Sequence, residues 1–297
     1  MKRITRDQVI YAMDKAARPV VFAHPGDQLW VETEDCFSHQ ISEPTDTFGP
    51  WFDYSRINPA TGPIEVEGAN PGDVLEVVVE EIHLTTQGVV ATYPGWGPLG
   101  EQVPEPEIKI VQIERDRVLF SPGISLPVRP MIGVIGTAPK GEAVPCGSPG
   151  PHGGNLDTLM VTRGARVFLP VFVPGALLAL GDVHAAMADG EVCGTAVECR
   201  AEVLIRLELH RGLGWKIPHL IKGGDHYVLA SGRALEEAIR LATREAVGML
   251  AHTQSLPWNE AYMLASLACD LQISQVVNPL KTVRVKIPST LLRSAPL

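Results

Sequence analysis

Aromatic residues make up only 6% of this 297-residue chain. Open binding faces for sugars or nucleic-acid bases usually need exposed rings, so the shortage counts against such a face. Basic residues are scarce as well. There are 25 Lys and Arg against 34 Asp and Glu, a net charge of −9. That balance argues against nucleic-acid partners and against an anionic membrane surface. Cys36, Cys146, Cys193, Cys199 and Cys269 are odd in number and form no CxxC pair. Neither a disulfide framework nor a thiolate zinc site is expected. No segment reaches the roughly 20 apolar residues that span a bilayer. The opening MKRITRDQVIYAMD has no signal-peptide core. The expected location is cytoplasmic, with no membrane partner.

Glycine (28) and proline (25), by contrast, are abundant. Such punctuation favours many short strands and turns over long helices. Pro25-Gly26-Asp27 precedes QLWVET, and Pro71-Gly72-Asp73 precedes VLEVVVEEIHL. Both strands alternate with period two. KIVQIE and RVLF read as a hairpin around Arg115-Asp116. Between the first two strands lies EDCFSHQISEPTDTFGPWFDYSRINPATGPIEVEGAN, too long for an ordinary connection and therefore a candidate functional loop. It carries Asp35, at a strand end, and His39 and Asp46, which read better as solvated loop residues. From Thr195 to Leu209 the odd positions are apolar or small, which predicts a long half-buried strand, or two joined by a bend. The last third changes character. Residues 233–252 place Leu235, Ile239, Ala242, Ala246, Met249 and Leu250 on one helical face, with Ser231 as a candidate cap. Residues 259–271 predict a second helix, apolar nearly all round and deeply buried. TVRVKIP reads as a closing strand.

The expected fold class is mainly β with an α+β portion: sandwich- or barrel-like sheets plus two helices in the C-terminal half. The chain reads as a single unit over 1–297, divisible into a β-rich part, 1–210, and an α+β part, 211–297.

The stretch 130–210 sets polar, metal-competent side chains among apolar strand residues. SPGPHGGNLD holds His152, Gly153, Gly154, Asn155 and Asp157. Paired glycines let backbone approach a ligand and turn amides inward. Asp157 reads as a cap or brace. GDVHA then supplies Asp182 and His184, and ADGE supplies Glu191. If Asp189-Gly190 is a two-residue hairpin turn, His184 faces Thr195 and Asp182 faces Val197. Asp182, His184 and Glu191 then share a buried face, where carboxylates need a partner, a metal or a raised pKa. A one-residue bulge at Gly190 or Gly194 would flip part of that assignment. Two carboxylates and an imidazole suit a hard or borderline divalent ion, and zinc in particular. A structural His–Asp pair is the plainer alternative. Nucleophilic catalysis by Cys146, Ser148 or Cys193 lacks a GxSxG elbow to support it.

PMIGVIGTAP, PGPHGGNLD and LPVFVPGALLALGDVHAAMADGE resemble the signature blocks of the acetamidase/formamidase family. VETEDCF, NPATGPIEVEGANPGDVLEV and EAYMLASLACDLQISQVV extend the resemblance over nearly the whole chain. It implies hydrolysis of short aliphatic amides (formamide or acetamide) to a carboxylate and ammonia. It also implies a divalent metal (zinc, with calcium as the alternative) and a homodimer or higher oligomer. On these positions Asp182 and His184, with Asp35 or His152, become metal ligands. Glu191 becomes the general base and proton donor, with Glu142 second choice. Gly153, Gly154 and Asn155 would bind the developing oxyanion. The family pattern HAxxGDGE is broken by Ala188, which would strain the turn if the usual glycine has positive φ. Two other readings stay open: a γ-lactam hydrolase, and a non-catalytic β-sandwich ligand-binding module.

Overall fold

In the computed structural model, which describes residues 2–292, the alternating segments pair into two large sheets. The first has nine strands, in the order Lys2–Ile4, Gln28–Thr33, Ala201–His210, Val74–Leu84, Arg166–Pro170, His219–Lys222, Asp225–Gly232, Lys281–Ile287 and Asp270–Gln275. The second has eleven, and Leu178–His184 lies in its middle. Met131–Gly136, Glu198–Cys199 and Ala60–Val66 all pair with that strand. Val31, Val77 and Val203 from the first sheet meet Ile132, Leu180 and Val183 from the second in one buried cluster. The sheets therefore close face to face as a sandwich. The helices sit on the outside of the nine-stranded sheet.

Strand Asp225–Gly232 shows how the two layers join. Tyr227 and Leu229 enter the sandwich core. Val228 and Ala230 face the other way, toward helices α1 (Leu235–Thr253) and α2 (Trp258–Ala268). Period two on a strand buried on both sides produces this alternation. Strands from before and after residue 210 pair directly, as Arg166–Pro170 does with His219–Lys222. Among the described residues no helix is long and apolar enough to cross a membrane.

Both Pro-Gly-Asp turns form as expected, with Gly26 at φ 94° and Gly72 at φ 97°. In each, the aspartate accepts a backbone N–H three residues back, His24 to Asp27 and Asn70 to Asp73, both at 3.0 Å. The Arg115-Asp116 hairpin is present too, with Arg117 opposite Glu114.

Two expectations about the helices are corrected. Helix α2 is not deeply buried. Ala261 and Ala265 pack inward, while Tyr262, Met263 and Leu267 are exposed. Its small side chains face inward because α2 packs on α1, the helix that itself lies on the sheet, and the large ones turn outward. Ser231 does not cap α1, since it lies in a strand and its hydroxyl meets Thr282 at 3.0 Å. The cap residue is Ala234, and Glu237 reaches back to the Arg233 N–H at 2.9 Å. The stretch Thr195–Leu209 takes the second of its two expected forms, two strands joined by a bend at Arg200. Glu198–Cys199 belongs to the eleven-stranded sheet and Ala201–His210 to the nine-stranded one.

That bend goes with a different register. His184 lies opposite Glu198, not Thr195, and Val183 opposite Cys199. Asp189-Gly190 does turn the chain, with the Glu191 N–H donating to Ala188 O at 3.2 Å, but the flanking strands do not pair in the register of a two-residue hairpin. The loop between the strands is pulled toward strand Asp270–Gln275 instead. The Gly190 N–H donates to Ser274 O at 2.8 Å, Val276 N–H donates to Gly190 O at 3.1 Å, and Asp189 pairs with Arg284 at 2.6 Å. An odd register shift exchanges the faces. Glu198, assigned by parity to the wet face, is carried inside.

Candidate active site

Four buried carboxylates converge on one imidazole. Asp182 and His184 come from the central strand, Glu198 from its neighbour, Asp157 from the loop after Gly153–Asn155, and Glu191 from the loop after the central strand. His184 Nε2 lies 3.3 Å from Asp182 Oδ1, 3.1 Å from Glu198 Oε2 and 3.9 Å from Asp157 Oδ1. Glu198 Oε2 is close but off the line of the N–H and receives no hydrogen bond. Glu198 is held by the Ala196 N–H, which donates to Oε1 at 2.8 Å. Asn278, from the loop after Asp270–Gln275, donates to Asp157 Oδ2 at 2.6 Å and to Asn155 O at 3.0 Å.

Backbone strain marks the same residues. Asp157, Asp182 and Glu191 have φ of 39°, 55° and 47°, a region that favours glycine. Strain of this kind persists where the surroundings hold the residue in place. Gly133 is the matching cradle. A Cβ there would lie 2.5 Å from Asp157 Oδ1 and 2.9 Å from Asp182 Oδ2. Ala188 does not strain its turn, because the positive φ falls at Gly190 and Glu191 instead.

The electrostatics follow from burial. Desolvation, with the Asp182 charge next, pushes Asp157 up to about 6. Desolvation and Glu198 push Asp182 up to about 6. Burial and Asp157 hold Glu191 well above the usual carboxylate range. Burial alone would lower His184, but Glu198 and Asp182 outweigh it and raise the imidazole well above its ordinary value. Acids crowded out of water either keep protons or gather a cation.

The donor set fits a divalent ion. Asp157 Oδ1, His184 Nδ1, Glu198 Oε2 and Asn155 Oδ1 are buried and without hydrogen-bond partners. Two groupings hold ligand atoms within 4.8 Å of one another: Cys36, Asp182 and Glu198, and Asp157, His184 and Glu191.

The structure thus brings Asp182, His184 and Glu191 together. Asp35 is buried nearby, but its Oδ1 accepts the Phe37 and His39 N–H groups at 2.9 and 3.0 Å. His152 is buried with Nε2 unpartnered, its pKa lowered to about 4 by desolvation, and it belongs to neither grouping. Glu142 is exposed on its loop and joins neither. Gly153 and Gly154 have φ of 97° and 80° in a short strand on the edge of the eleven-stranded sheet. The Gly153 N–H is already committed to Gly150 O at 3.1 Å. Of the candidate nucleophiles, Cys146 is buried and its thiol is pushed up to about 12 by burial. Sequence reasoning missed Glu198, Cys36 and Asn278, and gave Asp157 only a bracing role. Glu198 was hidden by its even position among solvated ones. Asn278 left only a turn signal, Asn-Pro.

A cavity of about 650 Å³ opens above this group, with Cys36, Thr195 and Asn278 among its lining residues. Fold and site together define a class: a two-sheet sandwich with a carboxylate–imidazole centre beneath a solvent-reaching cavity. A profile of the acetamidase/formamidase family matches residues 14–145 and 140–293, and the chain belongs to that family. It is similar to a crystal structure of an acetamidase from Bacillus halodurans, with 43% identity, a TM-score of 0.96, and coverage of 99% of this chain and 100% of that one. A predicted acetamidase/formamidase from Thermoanaerobacter tengcongensis is equally similar, at 43% identity and TM-score 0.96 over 99% of this chain and 97% of that one. A putative formamidase of Schizosaccharomyces pombe is 29% identical over 58% of this chain and 57% of its own length. The chain therefore matches little more than half the length of such named sequence relatives. A γ-lactamase from Delftia acidovorans, 22% identical with a TM-score of 0.68, shares the fold.

Proposed function

We propose that the protein hydrolyses short primary amides, formamide or acetamide, to a carboxylate and ammonia at the Asp157–Asp182–His184–Glu191–Glu198 group. The carrying observation is the set of buried, unpartnered carboxylate and imidazole atoms beneath a cavity, in a chain of this family. Asp182, Glu198 and His184 would hold a divalent cation such as zinc, with Asp157 on the same Nε2 side of the imidazole. Such an ion supplies carbonyl polarisation and offsets the crowded negative charge. Glu191 accepts the proton of the attacking water and passes it to the leaving nitrogen. Its raised pKa makes it a competent acid for the second step. Asn155, its Oδ1 unpartnered, binds the amide group. Asn278 positions Asp157.

The test is ammonia release from formamide and acetamide, with metal analysis of the same preparation. Glu191→Gln lowers kcat by about 100-fold or more while the protein stays folded, in the range expected of a lost acid–base group. Normal turnover in that variant removes Glu191 from the mechanism, and no ammonia from the wild type refutes the proposal.

A second copy of the chain covers α2 in this reading. Trp258, Tyr262, Met263 and Leu267 expose a contiguous apolar face, and faces of that kind mark protein contacts. Leu267→Glu then yields a monomer in light scattering. A cytoplasmic location belongs to the same reading, since all five cysteines are free.

A further inference from the structure

The cavity is far larger than formamide or acetamide requires. Acetamide has four heavy atoms and fills on the order of 100 Å³, taking about 30 Å³ per water-sized unit. The cavity holds about 650 Å³. Spaces of that size ordinarily receive ligands several times larger.

Its walls are specific. In a chain short of aromatics, Phe37, Phe52, Tyr54 and Trp96 all line this one cavity. They form an edge-to-face network, with ring centroids 6.1 Å apart for Phe37 and Phe52 and 4.8 Å for Phe52 and Tyr54. Phe48 braces it from behind, 4.9 Å from Phe52 and 5.8 Å from Trp96. Fixed rings set edge-on present a slot that suits another ring. Among the described residues, the lining includes no Asp, Glu, Lys, Arg or His. A charged ligand would find no partner there, so the occupant is neutral.

The cavity is also continuous with the chemistry. Cys36 lies among its lining residues and has Sγ within 4.8 Å of the Asp182 and Glu198 ligand atoms. Asn278, another lining residue, holds Asp157. Trp96 packs onto Gly194, where a Cβ would come within 2.9 Å of the Trp96 Cβ. The aromatic wall therefore rests on the same loop that carries Glu191.

We propose that this site accepts neutral primary amides with an aryl group on the acyl side, and prefers them to acetamide. The amide lies toward Cys36 and Asn278, and the ring lies between Phe37, Phe52, Tyr54 and Trp96. The inference rests on the amide-hydrolysis reading. Water oxygen bonds to the carbonyl carbon, the C–N bond breaks, the nitrogen leaves as ammonia with the water proton, and the arylacetate is released.

Two measurements on the purified, full-length protein test it. The first is kcat/KM for phenylacetamide against acetamide. A phenyl ring buried on these walls raises it about tenfold to a hundredfold. The second is calorimetric binding of benzyl methyl ketone against acetone, in which methyl replaces the amide nitrogen so that no turnover is needed. The same preference is expected. Tyr54→Ala, at a half-exposed rim position outside the core, lowers the phenylacetamide-to-acetamide ratio by about tenfold. Equal binding of the two ketones, or acetamide turned over faster than phenylacetamide, overturns the inference and leaves amide hydrolysis standing. Preferential ketone binding with no ammonia from any amide supports the aryl pocket and refutes the hydrolytic reading.

Discussion

Gly133→Ala is the sharpest test of the site geometry, because it adds one methyl group and no charge. Gly133 does not have a positive φ, so the backbone accepts alanine without strain. The cost lies in space. The new Cβ would sit 2.5 Å from Asp157 Oδ1 and 2.9 Å from both Asp182 O and Asp182 Oδ2, where ordinary contact begins at 3.4 Å. Neither neighbour yields easily. Asp157 is tied to Asn278 at 2.6 Å, and Asp182 lies in a strand paired on both sides, each with φ already positive. Overpacking of this kind costs about 1–3 kcal/mol. That lowers the melting temperature by about 2–6 °C for a chain of this size. Relief of the clash moves the Asp157 carboxylate by somewhat under an ångström, and misplacement on that scale lowers kcat by about 100-fold. Thermal unfolding and ammonia release read the two effects separately. Gly141→Ala is the control, since a Cβ there meets nothing within 4 Å. If Gly133→Ala keeps both its melting temperature and its turnover, Asp157 and Asp182 do not crowd this glycine and the site is built differently.

Other expectations follow from the same contacts. Glu198→Gln removes one carboxylate from the group around His184 and lowers both bound divalent metal and kcat by about 10- to 100-fold; unchanged metal content, read by elemental analysis, would exclude it as a ligand. Asn278→Ala frees Asp157 Oδ2, and kcat falls with little change in melting temperature. The buried pair His219–His226, with Nδ1 and Nε2 at 2.8 Å, governs acid stability instead. Burial depresses His226 to about 4, below the roughly 6.5 of the unfolded chain. Its stabilising contribution is therefore complete above about pH 6.5 and falls by about 3 kcal/mol as pH drops to 4. Urea unfolding of wild type and His226→Gln across that window should diverge by that amount, and parallel curves would refute the assignment.

Local pattern decided much of this protein. Period two placed most strands, period 3.6 placed both helices, and Pro-Gly-Asp placed the turns, because each signal depends only on near neighbours in the chain. Residue chemistry alone pointed to Asp182, His184 and Glu191, since acids and imidazoles interrupting apolar strands have few uses in packing. Pairing between distant segments was not legible in the same way. The Gly190 loop took its hydrogen bonds from Ser274 and Val276, more than 80 residues away, and no pattern near residue 190 records that choice. The resulting odd shift brought Glu198 to His184 in place of Thr195. Asn278 and Cys36 reach the site by the same long-range route. Which residues are acidic and which segments are strands follows from local sequence. Which acids share one buried imidazole was decided by register and sheet switching, which form only when the two sheets close.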